Sequence, residues 1–203
     1  QRVFNNMLLH KKLENYNLIL ASASPRRRQL LADCGIKFTL ADKFECDETF
    51  PATMPCCEVA QHISALKSNA YPNPLSEKDI LLTADTVVIA ENKILGKPAN
   101  RAEAVEMLTL LSGRKHTVIT GVTIRTATHT HSFSVESSVY FRALTSEEMD
   151  YYIDTYKPFD KAGAYGIQEW IGYIGIDKIE GSYFTIMGLP VHLVYQELVK
   201  FIG

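Results

Sequence analysis

Three consecutive arginines, Arg26, Arg27 and Arg28, follow the polar turn Ser22-Ala23-Ser24 and Pro25. Ser24 suits a helix N-cap, Pro25 a first helical position and Gly35 a position past the end, so the spacing predicts a helix opening at Pro25. Cations in a first helical turn oppose the macrodipole, where carboxylates would gain ~0.3–1 kcal/mol each. A bound anion removes that conflict. The helix N-terminus offers backbone N–H groups, Ser22 and Ser24 offer hydroxyls, and Arg26 and Arg27 offer forked donors that match phosphate oxygens. The alternative is a solvated basic turn paired with nearby carboxylates. The apolar run Asn17–Ala21 before the turn favours phosphate, because strand–turn–helix junctions are where α/β proteins hold such groups. No Gly-x-x-x-x-Gly-Lys-Ser/Thr occurs, so this is not a P-loop.

A second anomaly is Asp85-Thr86 inside the apolar run Ile80–Ala90. An unpaired carboxylate in a buried strand costs several kcal/mol, so Asp85 requires a cation, a metal or a cleft. Lys97 follows in Gly96-Lys97-Pro98, its backbone restricted by the proline. Lys67, near the end of a predicted helix, reads by itself as an ordinary partner of the helix C-terminus. A third cluster is Asp160-Lys161-Ala162-Gly163-Ala164-Tyr165-Gly166-Ile167-Gln168. Its small residues allow close backbone approach to a ligand, with Lys161 and Gln168 as polar ends. The Gln168 amide can present a donor and an acceptor to the N3–H and O4 edge of uracil or thymine. The competing reading is a glycine-rich connector. His129-Thr130-His131 reads as a solvated hairpin tip and Trp170 as a packing residue. Cys56-Cys57 has no nearby histidine to make a nucleophile.

These groups need a scaffold, and the periodicities supply one. Strands are predicted at Asn17–Ala21, Ile36–Leu40, Ile80–Ala90, Lys93–Leu95, Thr117–Arg125 and Ser132–Phe141. Helices are predicted from Pro25, over Glu58–Ala70 and Arg101–Leu111, from the capping box at Thr145–Glu148 through Tyr156, and from Pro190 onward. A glycine-rich stretch runs from Gly163 to Gly181. The expected fold is mixed α/β, with residues 1–16 as an extension and 17–203 as one domain.

Composition narrows the classes. Hydrophobic residues make up 46% of the 203, enough for a sizeable core, and the formal charge of -2 provides no global attraction to nucleic acid or acidic membrane. The longest apolar runs are strand-sized rather than membrane-spanning. Residues 1–17 lack the apolar core of a secretory signal. Four cysteines without a Cys-x-x-Cys pair suit reduced thiols rather than zinc or a disulfide framework, so a cytoplasmic location is expected.

Together the clusters resemble the Maf family of nucleotide pyrophosphatases. The resemblance is carried by Leu20–Arg27, Asp47-Glu48, Lys67, Ala84–Val88, Leu95–Pro98, Leu111–Gly113, Thr120–Val122, Asp160–Gln168 and Gly188–Pro190, all in family order. It implies an elongated sheet flanked by helices, as in the inosine triphosphate pyrophosphatases, with two lobes around a nucleotide cleft. By the resemblance Asp85 is the catalytic aspartate, with Lys67 and Lys97 neutralising developing charge. Ser22, Ser24, Arg26, Arg27, Thr86, Lys161 and Gln168 would hold the substrate, and Arg26, Thr86 and Gln168 match the branch acting on dTTP and UTP. Glu48 and Asp85 would hold a hard cation, Mg²⁺ or Mn²⁺. The implied reaction releases pyrophosphate from a nucleoside triphosphate, with neither nucleic acid nor membrane as partner and a homodimer as a compatible assembly. A non-catalytic nucleotide-binding regulator of cell division is the alternative. A nucleic-acid module built on Arg26–Arg28 is a further rival, which the net charge argues against.

Overall fold

The computed structural model describes residues 8–202. Among them a seven-stranded sheet has the order β2-β1-β3-β5-β6-β7, with β4 alongside β3. Strand β1 (Asn17–Leu20) runs parallel to β2 (Thr39–Leu40) on one side. On its other side it runs parallel to the first part of β3 (Asp79–Ala90). Strands β5 (Lys115–Arg125), β6 (Thr130–Phe141) and β7 (Ile176–Glu180) extend the sheet in antiparallel fashion from the opposite edge of β3. Strand β4 (Lys93–Leu95) folds back onto Val88–Ala90 through Glu91 and Asn92, whose φ values of 50° and 60° make a two-residue hairpin.

One consequence governs everything downstream. Along its β1 edge, β3 is paired at Asp79–Leu82 by β1 and at Val88–Ala90 by β4. Residues 83–87 between these stretches have no strand partner on that side, and Asp85-Thr86 lies in the middle of the gap. The chain leaves β1 there and enters α2 (Pro25–Asp33), so the gap opens at the C-terminal end of the parallel pair, where open α/β sheets bind ligands.

Alternation along β3 sends its two faces to different cores. Helix α3 (Cys56–Ala70) packs Val59, Ala60 and Ile63 against Val87 and Ile119 on one face. The other face carries Leu82, Ala84 and Val88 into the main core. That core also takes residues of α4 (Arg101–Leu111), α5 (Ser146–Tyr156) and α8 (Val191–Ile202). The capping box at Thr145 and Glu148 is formed as predicted, and Asn100 caps α4 through the Glu103 N–H. Two short elements, α6 (Trp170–Gly175) and β7, lie in the glycine-rich stretch, for which no element was predicted. Predicted β2 shrinks to two residues.

Before β1, the short helix α1 (Leu9–Lys12) leads into a single 3₁₀ turn. Leu9 and Leu13 are buried in the main core, and the Leu9 N–H donates to the Tyr195 hydroxyl on α8 at 3.3 Å. This part of the amino-terminal segment is integral to the packing. No helix among the described residues is long and apolar enough to cross a membrane.

Candidate active site

The gap in the sheet is the back wall of a cleft of about 930 Å³. Its rim comes from the β1–α2 turn, residues 41–48, the β4–Lys97 segment, residues 160–167 and the end of the short helix α7 (Tyr183–Met187) with its cap Gly188. Seven cations line it (Arg26, Arg27, Arg28, Lys43, Lys67, Lys97 and Lys161) against four carboxylates (Asp42, Glu48, Asp85 and Asp160). The excess of three positive charges sits in a chain whose net charge is -2, so the basic residues are concentrated at this one place.

Asp85 is brought to the back wall by β3, its side chain 14% exposed on the α3 side. Lys67, one turn from the end of α3, donates to Asp85 Oδ1 at 2.7 Å and lies 3.2 Å from Glu48 Oε1. Lys67 is therefore not a mere helix-end charge; it clamps the aspartate. Asp85 Oδ2 has no hydrogen-bond partner among the described residues, and Asp85 lines the cleft. The clamp depends on how closely α3 approaches the sheet. Gly121 on β5 is the register partner of Asp85, and a Cβ there would lie 2.3 Å from the Ala60 carbonyl. Only glycine admits the helix at this depth.

Arg26 and Arg27 divide the work. The Arg27 guanidinium turns inward: Nε donates to the Gly188 carbonyl at 2.7 Å, Nη1 to the Ala84 carbonyl at 3.0 Å and to Ser22 Oγ at 3.3 Å, and Nη2 to Thr86 Oγ1 at 3.0 Å. It thereby satisfies a β3 carbonyl that the missing strand leaves open. Burial lowers its proton affinity and Asp85 offsets part of that, yet a guanidinium remains charged. Most of its donors are spent on protein, so Arg27 acts as a brace. Thr86 continues the brace. Thr120 Oγ1 donates to the Thr185 carbonyl at 2.8 Å, so its own proton is used and Thr86 must donate across their 2.8 Å contact. The chain of bonds runs Arg27 to Thr86 to Thr120 to Thr185. Thr86 thus has no proton left for a ligand. Arg26, by contrast, spends only Nε on the Met187 carbonyl, at 3.4 Å.

Ser22 and Ser24 keep their protons. Ser22 Oγ accepts from the Ser24 N–H at 3.2 Å and from Arg27, while Ser24 Oγ caps α2 by accepting from the Arg27 N–H at 3.4 Å. Both hydroxyls remain available as donors to an anion at the helix start. Lys97 is exposed on the rim without an ion-pair partner among the described residues. Lys161 Nζ lies 2.9 Å from both Asp160 and Glu169, leaving one of its three protons free. Gln168 is exposed and is not among the lining residues, unlike its neighbour Ile167.

Sequence reasoning missed two supports. Tyr152 on α5 receives the Gly166 N–H at 3.0 Å and donates to Glu169, fixing the 163–169 segment from below. Gly172 on α6 sits against the Ile167 carbonyl, where a Cβ would lie 1.9 Å away. A glycine within an otherwise apolar run was the available signal. His131 is 3.2 Å from Glu197 and Trp170 packs edge-on against Tyr151, so neither joins the site; of the four free cysteines, Cys46 alone lines the cleft.

A parallel-strand end, a helix N-terminus with two available hydroxyls, surplus cations and a clamped carboxylate define an α/β protein that binds phosphorylated ligands. The chain belongs to the Maf family: the family model described as Maf-like protein matches residues 17–201. It is 48% identical over 191 residues to a dTTP/UTP pyrophosphatase of Parabacteroides distasonis, covering 94% of this chain and 99% of that one. It is 47% identical over 188 residues to a dTTP/UTP pyrophosphatase of Bacteroides thetaiotaomicron, covering 93% and 97%. Among solved structures, a HAM1 protein from Coxiella burnetii is a distant likeness, with a TM-score of 0.46 at 15% identity over 91% of this chain and 99% of that one.

Proposed function

We propose that this protein hydrolyses dTTP and UTP to the nucleoside monophosphate and pyrophosphate. The observation that carries the reading is Asp85, clamped at 2.7 Å by Lys67 at the back of a cleft where cations outnumber carboxylates. A polyanion is the natural occupant of such a cleft, and a carboxylate with one free oxygen suits proton removal from an attacking water. The substrate range follows the names of the relatives.

In this reading water approaches the α-phosphorus with Asp85 Oδ2 accepting its proton, while Lys67 keeps the carboxylate aimed. Ser22, Ser24 and the start of α2 hold phosphate oxygens, with Arg26 beside them. Lys97, and the remaining proton of Lys161, face charge that develops as pyrophosphate departs. Arg27 and Thr86 hold the turn, the gap and the Gly188 loop in register. Glu48 and Asp85 both pair with the Lys67 ammonium, and their two carboxylates are the oxygen donors that a hard divalent cation, completed by phosphate oxygens and water, would use. Mg²⁺ or Mn²⁺ bound there would supply charge neutralisation on the phosphates. Gln168 lies one residue past the wall, so its contact with a pyrimidine edge requires the segment to close over the base. Residues 17–203 form the catalytic domain, and a reducing compartment such as the cytoplasm suits the four free cysteines.

The test is a panel of nucleoside triphosphates incubated with Mg²⁺ or Mn²⁺, reading pyrophosphate against orthophosphate. Pyrophosphate from dTTP and UTP above other bases is expected. Binding without turnover would move the protein to a regulatory role.

A further inference from the structure

His116 is the one histidine among the described residues that is fully buried, 2% exposed on β5, and its partner is a cleft-lining phenol. His116 Nε2 and the Tyr165 hydroxyl are 2.6 Å apart, with the rings edge-on at 5.4 Å between centroids. Phe141 closes the other side of both rings. The second imidazole nitrogen, Nδ1, is buried with no partner among the described residues. An apolar ring would avoid that orphan, so packing alone gives no reason for a histidine here. The reason must lie in the bond that Nε2 makes.

That bond anchors a segment under backbone constraint. Immediately before Tyr165, Gly163 and Ala164 both have positive φ, 70° and 59°. A non-glycine residue keeps that conformation only where its surroundings over-determine it. Three ties do so. Tyr165 is pinned to β5 by His116, the Gly166 N–H is held by Tyr152 at 3.0 Å, and the Gly163 N–H donates to the Gly96 carbonyl at 3.1 Å. The last tie links the 160–167 wall to the loop that carries Lys97. Both line the cleft.

We propose that His116 and Tyr165 are a positioning pair that sets the spacing of the 160–167 wall and the Lys97 loop, and so the affinity for the nucleotide. Neither touches the reacting atoms. The proposal rests on the nucleotide reading above, and its test keeps the two apart. The proteins compared are the wild type, Y165F, H116F, H116Q and the double variant H116F/Y165F. The measurements are the Kd for α,β-methylene-UTP, KM and kcat for UTP, and thermal unfolding.

The double variant removes both polar partners, and the oxygen lost from Tyr165 makes room for the larger ring. It is expected to unfold at or above the wild-type temperature. Its Kd and KM should nonetheless rise on the order of 10-fold and kcat should fall with them, since displacing Lys97 and Lys161 weakens both the complex and the neutralisation of charge as pyrophosphate departs. In H116Q the amide can still meet the phenol, and affinity should return toward wild type. A stable double variant with wild-type Kd and KM overturns the proposal. Should the double variant not fold, Y165F, which loses a single oxygen, decides the matter: a wild-type Kd overturns the pair, a weakened one upholds it. A wild-type protein that neither binds the analogue nor turns over UTP refutes the nucleotide reading itself, and the pair with it.

Discussion

Asp85 and Gln168 mark the two ends of what single residues do in this cleft. Asp85 is clamped on one oxygen and open on the other, so Asp85→Asn keeps the shape and removes the proton acceptor. Turnover of UTP should fall ~10²–10⁴-fold while binding changes far less, in line with loss of general-base catalysis. Near-wild-type turnover at saturating metal would take Asp85 out of the mechanism. Gln168 carries the pyrimidine assignment from an exposed position. Gln168→Glu keeps the length and deletes the amide donor, leaving O4 of uracil opposite a carboxylate. A mispaired buried contact of that kind costs about 1–3 kcal/mol, so the ratio of kcat/KM for UTP to that for CTP should fall about 5–150-fold. An unchanged ratio would mean that the segment does not close on the base. What the sequence made legible at this scale was residue type out of place: arginines at a helix start and an aspartate in an apolar strand. The roles of Arg27 and Thr86 were not legible, because a brace and a phosphate ligand use the same donors. Only their partners, the Gly188 and Ala84 carbonyls and Thr120, separate the two.

The elements show why the cleft is where it is. Strand β3 is long enough to be paired by β1 at one end and β4 at the other, and the interval left between them exposes Asp85-Thr86. The length of β3 could be read from Ile80–Ala90, but its pairing could not, since alternation says nothing about which neighbour stops where. Helix α3 must then reach the sheet at the depth set by Gly121. Gly121→Ala drives a methyl into the Ala60 carbonyl, so α3 has to retreat and take Lys67 with it. Overpacking of this kind costs ~1–3 kcal/mol. The variant should lose thermal stability and kcat together; unchanged values of both would show that α3 does not determine the clamp. The glycine-rich stretch from Gly163 to Gly181 carries no clear helix signal in the sequence, because glycines lower helix propensity. Gly172 is there for close packing, a cause that propensity does not register.

For the molecule as a whole, stability and activity should respond to pH through different groups. Burial holds His116 down to about 4 from an ordinary 6.5. The unfolded chain takes a proton there below pH 6.5 and the folded chain only near 4. The stability owed to the neutral ring is therefore complete above pH 6.5 and is lost as pH falls towards 4, on the order of 3 kcal/mol in all. Chemical denaturation between pH 7 and 4 measures it, and H116F/Y165F should lack this slope; an equal slope in the variant would assign the loss to carboxylates. The central claim, however, concerns the bond that breaks. An Asp85-activated water attacking the α-phosphorus leaves its oxygen on the monophosphate and lets the outer two phosphates depart together. Hydrolysis of UTP in ¹⁸O-labelled water, followed by mass analysis of the products, reads this directly. The account predicts label in UMP and none in pyrophosphate. Label in pyrophosphate, or UDP with labelled orthophosphate, would contradict it.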